Sequence, residues 1–132
     1  MTIAQFSIEK KIIEDYVHKI ILAWLEDRIE EVDELIDNKI TFCSSVGSRK
    51  YSGKSQFKEY LYDSLINKKV IRYNEEDFSI HTDGITATAH YKFIMEYQQN
   101  NKNVIESGRD FFLFKREMEN WKLVWRSIYY YQ

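Results

Sequence analysis

The sequence is poor in the residues that make linkers, disulfides and sharp breaks. Its 132 residues include no proline, four glycines and one cysteine, Cys43. With so few breaking residues no flexible linker is visible, and we expect a single domain over residues 1–132. A lone cysteine cannot form an internal disulfide and offers no metal-ligand spacing, so we predict neither a metal site nor a cofactor.

Strong net charge and long apolar runs are also missing. The formal charge is −2 at pH 7, which gives no bulk attraction to phosphate backbones or anionic lipid, so we expect neither nucleic acid nor a membrane as partner. No apolar run approaches the roughly 20 residues that span a bilayer, and the N-terminus lacks the basic start and apolar core of a signal peptide. We therefore expect a cytoplasmic protein.

Aromatic side chains, by contrast, are abundant. They make up 16% of the residues, within a hydrophobic content of 44% that is enough for one core. About half of them lie beyond residue 90. Aromatic residues bury large areas and suit strands or cavity walls, so the C-terminal third is the part of the chain most favourable for a pocket.

Helical spacing of apolar residues marks the first half of the chain. Ser7 is a plausible N-cap for the first helix, and Asp27 with Glu30 forms the pattern of a capping box for the second. In chain order we predict a helix over about 8–26, a shorter helix over 27–36, a strand over 39–46, a polar turn over 47–50, and a third helix from about 52–55 to 67.

Everything after Val70 has the composition of strands. The Asp83-Gly84 dipeptide is a strong hairpin signal, and two further polar turns follow near residues 98–103 and 119–120. Helices followed by a meander of long strands predict an α+β domain with its helices on one face of the sheet. The predicted strands cover about 70–81, 85–98, 103–117 and 121–131.

This order resembles the nuclear-transport-factor-2-like superfamily, which includes the SnoaL-like cone-fold proteins. The resemblance rests on the two N-terminal helices, on Tyr-Ser-Gly-Lys at 51–54, on Gly-Arg-Asp at 108–110 and on the Trp121 to Arg126 segment. It implies a curved antiparallel or mixed sheet wrapped around three helices, a cavity at the wide end of the cone, and frequent dimerisation. Members of the superfamily include isomerases, dehydratases, cyclases and non-catalytic binders.

Catalytic residues are poorly matched to those family enzymes. Tyr16 resembles the tyrosine of the ketosteroid-isomerase-like pattern, but the base position falls near Cys43, and the acid position falls near Phe112. Dehydratase and cyclase members use His and Asp for proton transfer, which leaves His90 and Asp110 as weak catalytic candidates. Strand alternation favours a solvent or interface position for His90. Whether the protein is an enzyme stays open.

Asp110 and Arg126 are the best-motivated pair of charges. Strand alternation groups Asp110 with Phe112 and groups Arg126 with Val124 and other apolar residues, and a charge on an apolar face needs a partner. If the last hairpin has an odd-length loop, both side chains share one face and meet across the strands. Two interpretations remain: a salt bridge that steadies the sheet, or a guanidinium held for a ligand carboxylate or carbonyl.

The opposite face of the last two strands is predicted to be an apolar band. It is too large to stay exposed on a monomer, and helices can cover only one face of a sheet. We therefore predict a homodimer through the outer face of the sheet. The band contains Arg109, Phe111, Leu113, Trp121, Leu123, Trp125 and Tyr129.

The excess of aromatic residues over matched catalytic groups favours a binding protein. We predict that a small apolar or aromatic molecule occupies a pocket in the cone. The first alternative is a SnoaL-like isomerase, dehydratase or cyclase that works without a cofactor through His90 or Asp110; the second is a non-catalytic dimeric interaction module. The residues predicted to line or support the pocket are Tyr16, Trp24, Phe112, Asp110, Arg126 and Tyr130.

Overall fold

The computed structural model describes residues 2–131 and contains helices followed by long strands, as predicted. The helices are α1, the 3-10 helix that follows it, and α2; six strands form the rest. In chain order the elements are α1 (Ile3–Leu25), the 3-10 helix (Ile29–Leu35), β1 (Ile36–Ser44), a short 3-10 turn (Val46–Ser48), β2 (Arg49–Ser52), α2 (Lys54–Asp63), β3 (Lys69–Thr82), β4 (Thr86–Gln99), β5 (Lys102–Glu117) and β6 (Asn120–Tyr130).

Helix α1 begins five residues before the predicted start. Its N-cap is Thr2 and not Ser7: the Thr2 hydroxyl accepts a hydrogen bond from the backbone of Gln5 at 3.1 Å, and the Gln5 side chain accepts from the Thr2 backbone at 2.8 Å. The first turns project beyond the core, since Ile3 and Ile8 are 88% and 60% exposed. The first turns therefore lack the buried apolar residues at helical spacing from which the start of the helix was predicted.

The segment between α1 and α2 differs from its prediction in three places. Strand β1 spans Ile36–Ser44, so it begins three residues before and ends two residues before the predicted strand over 39–46. The predicted second α-helix is a seven-residue 3-10 helix. Its N-cap is Arg28, whose side chain has no acceptor for a capping bond, and the predicted cap, Asp27, lies one residue earlier in the left-handed region with φ of 57°. The predicted polar turn at 47–50 ends in strand β2, which pairs antiparallel with β1. Helix α2 ends at Asp63, four residues before the predicted end.

One mixed, open sheet curves around the helices. Its strand order is β2-β1-β6-β5-β4-β3; β1 and β6 run parallel and all other neighbours run antiparallel. The helices pack on the inner face, where α1 buries Ile13, Val17 and Ile20 and α2 buries Phe57 and Leu61. This arrangement confirms the predicted α+β cone, with β3 to β6 bounded within one residue of the predicted strands.

A bulge in β6 decides which of its residues face the helices. The odd-length hairpin loop that the pairing required is absent, because a two-residue turn joins β5 to β6. Instead, the register shifts within the strands: Leu123 pairs with Phe114, but Trp125 pairs with the preceding Leu113, so Val124 is an extra residue. The bulge reverses the alternation of side chains in β6.

The bulge therefore corrects the predicted outer band. Trp121 and Leu123 were expected on the outer face, yet they are 3% and 0% exposed in the core. Beyond the bulge, Arg126 takes the inner face, while Trp125 and Tyr129 lie on the outer face with 37% and 59% exposure. The outer aromatic patch is consequently smaller than the sequence predicts.

No helix within residues 2–131 is long and apolar enough to cross a membrane. In the same range there is no group of three or more His, Cys, Asp or Glu side chains arranged to hold a metal ion.

Candidate ligand-binding cleft

A cleft of about 780 Å³ opens beside α2 where the ends of β4, β5 and β6 meet the β1–β2 connection. Its volume lies in the usual range for small-molecule sites. Part of the wall is aromatic, because the C-terminal end of α1, strand β2, helix α2 and the end of β6 each contribute one ring. The apolar lining consists chiefly of Trp24, Tyr51, Tyr60, Met95 and Tyr130.

Charged side chains line the cleft in equal numbers of each sign. The three acidic groups are Glu59, Asp63 and Glu106, and the three basic groups are Arg49, Lys50 and Lys68. Glu106 accepts a hydrogen bond from Tyr97 at 2.7 Å, and burial together with that bond raises the pKa of Tyr97 to about 12. The lining therefore carries no net charge that would favour an anion or a cation.

A buried ion pair lies on the inner face of the sheet. Arg126 donates from Nε to Oδ1 of Asp110 at 3.0 Å and from Nη2 to Oδ2 at 2.7 Å, and the two residues are 2% and 1% exposed. Burial opposes the charge of Arg126, but the Asp110 carboxylate outweighs it and raises the pKa of the guanidinium. The guanidinium is therefore held as a cation in a bidentate pair with Asp110 that is sealed from water.

Aromatic rings surround the guanidinium of Arg126. Its Cζ lies 4.7 Å from the ring centre of Phe112, 5.8 Å from that of Phe42 and 5.9 Å from that of Phe57. Ring faces attract a cation and exclude water, but they accept only weak hydrogen bonds. Nη1 of Arg126 is accordingly buried without a hydrogen-bond partner among the described residues.

Two tyrosines extend the polar cluster from Asp110 towards the cleft. Tyr91 donates to Oδ2 of Asp110 at 3.2 Å, and the hydroxyls of Tyr91 and Tyr73 are 2.7 Å apart. Tyr73 in turn meets Trp24 edge to face, with ring centres 6.0 Å apart, and Trp24 donates to the Ser64 hydroxyl at 2.7 Å. Burial raises the pKa of both tyrosines well above the ordinary value, so both remain neutral donors.

Tyr60 and Tyr130 lie between the cleft and the ion pair. Burial is the main cause that raises the pKa of both hydroxyls. Tyr60 packs on Phe42 with ring centres 4.5 Å apart, and Phe42 in turn faces Arg126. The charge of Arg126 acts on both hydroxyls in the opposite sense, lowering their pKa, as expected for a guanidinium close behind them.

The structure divides the predicted pocket residues into three groups. Trp24 and Tyr130 line the cleft. Asp110 and Arg126 meet as a pair on the inner face, with Phe112 stacked on the guanidinium, and all three are buried behind the cleft wall. Tyr16 lies outside the cleft, because its ring packs 6.3 Å from that of Phe114, towards the β5–β6 turn and away from the cleft end of β5.

Neither catalytic candidate reaches the cleft surface. His90 is half-buried on the outer face, with its ring stacked 6.4 Å from that of Phe111. Asp110 has both carboxylate oxygens engaged by Arg126 and Tyr91. Glu106 is the carboxylate that a ligand in the cleft would meet on β5, and alternation of that strand, which groups Glu106 with Asp110, was the sequence signal for it.

The sequence matches no protein-family model and no curated protein. Solved structures do match, all with low sequence identity. An NTF2-like protein from Cytophaga hutchinsonii has a TM-score of 0.74 at 15% identity, over 91% of this chain and 96% of its own. A candidate scytalone dehydratase from Novosphingobium aromaticivorans has a TM-score of 0.78 at 13% identity, over 95% of this chain and 85% of its own.

A third structure is a candidate Ca/calmodulin-dependent kinase II association domain from Exiguobacterium sibiricum. Its TM-score is 0.70 at 13% identity, over all of this chain and 96% of its own. A curved, open mixed sheet around helices, with a cleft at one end, defines an α+β cone. The chain has the NTF2-like fold, which confirms the family resemblance at the level of fold.

Proposed function

We propose that the protein binds a small, largely aromatic molecule in the cleft beside α2. The observation that carries the proposal is the aromatic part of the wall, in which Trp24, Tyr51, Tyr60 and Tyr130 all border one cleft of about 780 Å³. Flat rings present apolar faces to a ligand and hydroxyl groups at their edges, a combination typical of small-molecule sites. The proposal includes a cytoplasmic location, where the free thiol of Cys43 stays reduced.

Removal of the Tyr130 ring is expected to weaken binding about tenfold or more, because an aromatic wall is lost. Binding of acetophenone can be followed through the ¹³C-labelled methyl groups of Met95, which lines the cleft, and Met118, which is 95% exposed at the β5–β6 turn. In the unaltered protein the Met95 signal should move with ligand concentration and the Met118 signal should not. In Tyr130→Ala the titration should shift to higher concentration.

Another tyrosine supplies a matched control. Tyr62 is 41% exposed on α2 and does not line the cleft, so Tyr62→Ala removes an equal ring and should leave the titration unchanged. A Met95 signal that ignores millimolar acetophenone in the unaltered protein would refute the cleft as a site for such molecules. Equal weakening by both variants would also count against it.

We further propose that the protein forms a homodimer through the outer face of the sheet. After the correction at the bulge, the aromatic patch on this face consists of Phe111, Leu113, Trp125 and Tyr129. Exposed clusters of large apolar residues mark interaction surfaces, and the helices already cover the inner face. The likeness to a candidate association domain is compatible with self-association.

A charge in the centre of this patch should separate the protomers. Trp125→Glu places a carboxylate in the proposed interface, where its burial would be unfavourable. We expect the unaltered protein to sediment at micromolar concentration with twice the 16.0 kDa chain mass, and the variant with the mass of one chain. Ile66→Glu, at a 56% exposed position after α2, should leave the dimer intact. A 16.0 kDa species for the unaltered protein would refute the dimer.

A further inference from the structure

The unpartnered Nη1 of Arg126 is the feature of the inner face that the fold does not explain. Nε and Nη2 satisfy Asp110, and three phenylalanine rings surround the rest of the guanidinium. Burial of a charged donor without a partner is costly, more so than for a neutral group. The Arg126 side chain is 2% exposed, so bulk water does not compensate for the missing bond.

Two tyrosines of the cleft wall lie on the side of the ion pair. Tyr60 packs on Phe42, whose ring faces the guanidinium, and Tyr130 follows Arg126 on the inner face of β6. A tyrosine side chain rotates without backbone movement, so rotation of Tyr60 and Tyr130 is the movement by which a ligand group would reach Nη1. Each hydroxyl can then bond to the same ligand group.

The charge balance of the Asp110–Arg126 pair decides which kind of ligand group can bond to Nη1. Asp110 already neutralises Arg126, so a ligand carboxylate beside the pair would be a second buried anion with no compensating cation. The cleft wall does not alter this, since its three acidic and three basic residues balance. A neutral acceptor such as a ketone, aldehyde or amide oxygen satisfies Nη1 and adds no charge.

We propose that the cleft recognises neutral aromatic carbonyl compounds, whose carbonyl oxygen passes between Tyr60 and Tyr130 and accepts a hydrogen bond from Nη1 of Arg126. This inference rests on the proposed function, because it names the class of molecule that the cleft binds. The ring of the ligand packs against the aromatic wall, and the oxygen supplies the specificity. A site that leaves a buried donor unpaired discriminates strongly against analogues that lack the acceptor.

Three probes of nearly equal shape test the proposal. Acetophenone carries the neutral carbonyl, α-methylstyrene replaces the oxygen with a methylene group, and benzoate carries a negative charge. We expect acetophenone to bind ~10- to 100-fold more tightly than α-methylstyrene, the range for a hydrogen bond from a charged donor. Benzoate should bind more weakly than acetophenone. The Met95 methyl signal reports all three titrations.

Arg126→Lys is the matched variant. Lysine keeps a cation beside Asp110 but has no equivalent of Nη1, so acetophenone should lose its advantage and bind like α-methylstyrene. Tyr62→Ala, at a 41% exposed position that does not line the cleft, serves as the control that leaves the preference intact. Because Arg126→Lys can fail to fold, a second measurement uses the unaltered protein: the infrared stretch of ¹³C=O acetophenone should move to lower frequency on binding, as expected for a strong hydrogen bond.

The outcomes distinguish a failure of this inference from a failure of the proposed binding function. Equal affinities for acetophenone and α-methylstyrene, or an unshifted carbonyl stretch, would overturn the carbonyl inference and leave the cleft as an apolar site. Tightest binding of benzoate would also overturn it and assign the guanidinium to anions. If none of the probes moves the Met95 signal, the proposed function itself fails. A preference for acetophenone that Arg126→Lys abolishes supports both.

Discussion

Replacement of Arg126 with alanine is expected to lower the free energy of unfolding by about 3–5 kcal/mol, the range for removal of one partner of a buried ion pair. The variant leaves the Asp110 carboxylate 1% exposed, with only the 3.2 Å hydrogen bond from Tyr91 to support its charge. It also removes the group on which three phenylalanine rings pack. Urea unfolding monitored by circular dichroism measures the change.

Two further variants serve as comparisons for the expected loss of stability in Arg126→Ala. Arg109→Ala removes an arginine from the exposed outer face of β5 and should change the free energy of unfolding by less than about 0.5 kcal/mol. The double variant Asp110→Leu with Arg126→Met replaces both charges with apolar side chains of similar size. Such replacements are often neutral or stabilising, so we expect the double variant to be more stable than Arg126→Ala.

This series distinguishes the two interpretations of the pair that the sequence leaves open. A salt bridge that only steadies the sheet can be exchanged for apolar residues without loss of any property other than stability. If the double variant folds but no longer distinguishes acetophenone from α-methylstyrene, the pair is retained for recognition. A loss below about 1 kcal/mol in Arg126→Ala would contradict the description of Asp110 as a buried, uncompensated charge.

The sequence predicts the sheet well because its signals are local. The turn at Asp83-Gly84 and the polar turns after β4 and β5 divide long aromatic segments, so the predicted limits of β3 to β6 fall within one residue of the observed ones. β2 escapes prediction because its residues are polar and charged. It forms because the edge of β1 offers unpaired backbone groups, with Ser52 opposite Thr41.

The candidate site is harder to predict because it depends on register between distant strands. The meeting of Asp110 and Arg126 is correctly predicted, but for the wrong reason, since the bulge at Val124 and not the hairpin loop brings them to one face. The two-residue turn pairs Trp121 with Arg116 and Leu123 with Phe114, which places both apolar side chains on the inner face. Strict alternation of inner and outer residues does not reveal an inserted residue. In β6 the residues that face the core lie both before and after Val124, and only an inserted residue brings both sets to the inner face.

Some members of the site carry no sequence signal at all. Tyr73 and Tyr91 belong to the polar cluster only because β3 and β4 place them beside Asp110, and Tyr60 closes the cleft only because α2 packs over β1. Tyrosine is frequent in this chain, with ten residues, so its presence on a strand does not distinguish a ligand site from a core. Their roles follow from tertiary contacts.

Gly108 is the residue whose substitution is expected to be most harmful in the sheet. A Cβ atom at this position would lie 2.0 Å from the carbonyl oxygen of Tyr129 and 2.9 Å from the Cα of Tyr130. These are backbone atoms of the paired strand, so rotation of a side chain cannot relieve the overlap. Overpacking usually costs about 1–3 kcal/mol, and a clash with backbone belongs at or above the upper end of that range.

We therefore expect Gly108→Ala to lower the free energy of unfolding by at least about 3 kcal/mol, measured by urea unfolding. Ser107→Ala, one position earlier on the same strand, adds no atoms and should cost less than about 1 kcal/mol. Gly47→Ala is a second comparison: its φ of 68° imposes left-handed strain, but its nearest contact, at 3.4 Å, is the flexible Arg49 side chain. A loss for Gly108→Ala no larger than for Gly47→Ala would contradict a backbone clash.

The position of Gly108 also links the stability of the sheet to the cleft. It pairs with Tyr130, so strands that separate to admit a Cβ atom must displace the Tyr130 ring from the cleft wall. Any Gly108→Ala protein that remains folded at low temperature should bind acetophenone as weakly as Tyr130→Ala. Unchanged affinity in such a protein would mean that the strands yield elsewhere and that the close contact of β5 with β6 does not position the cleft wall.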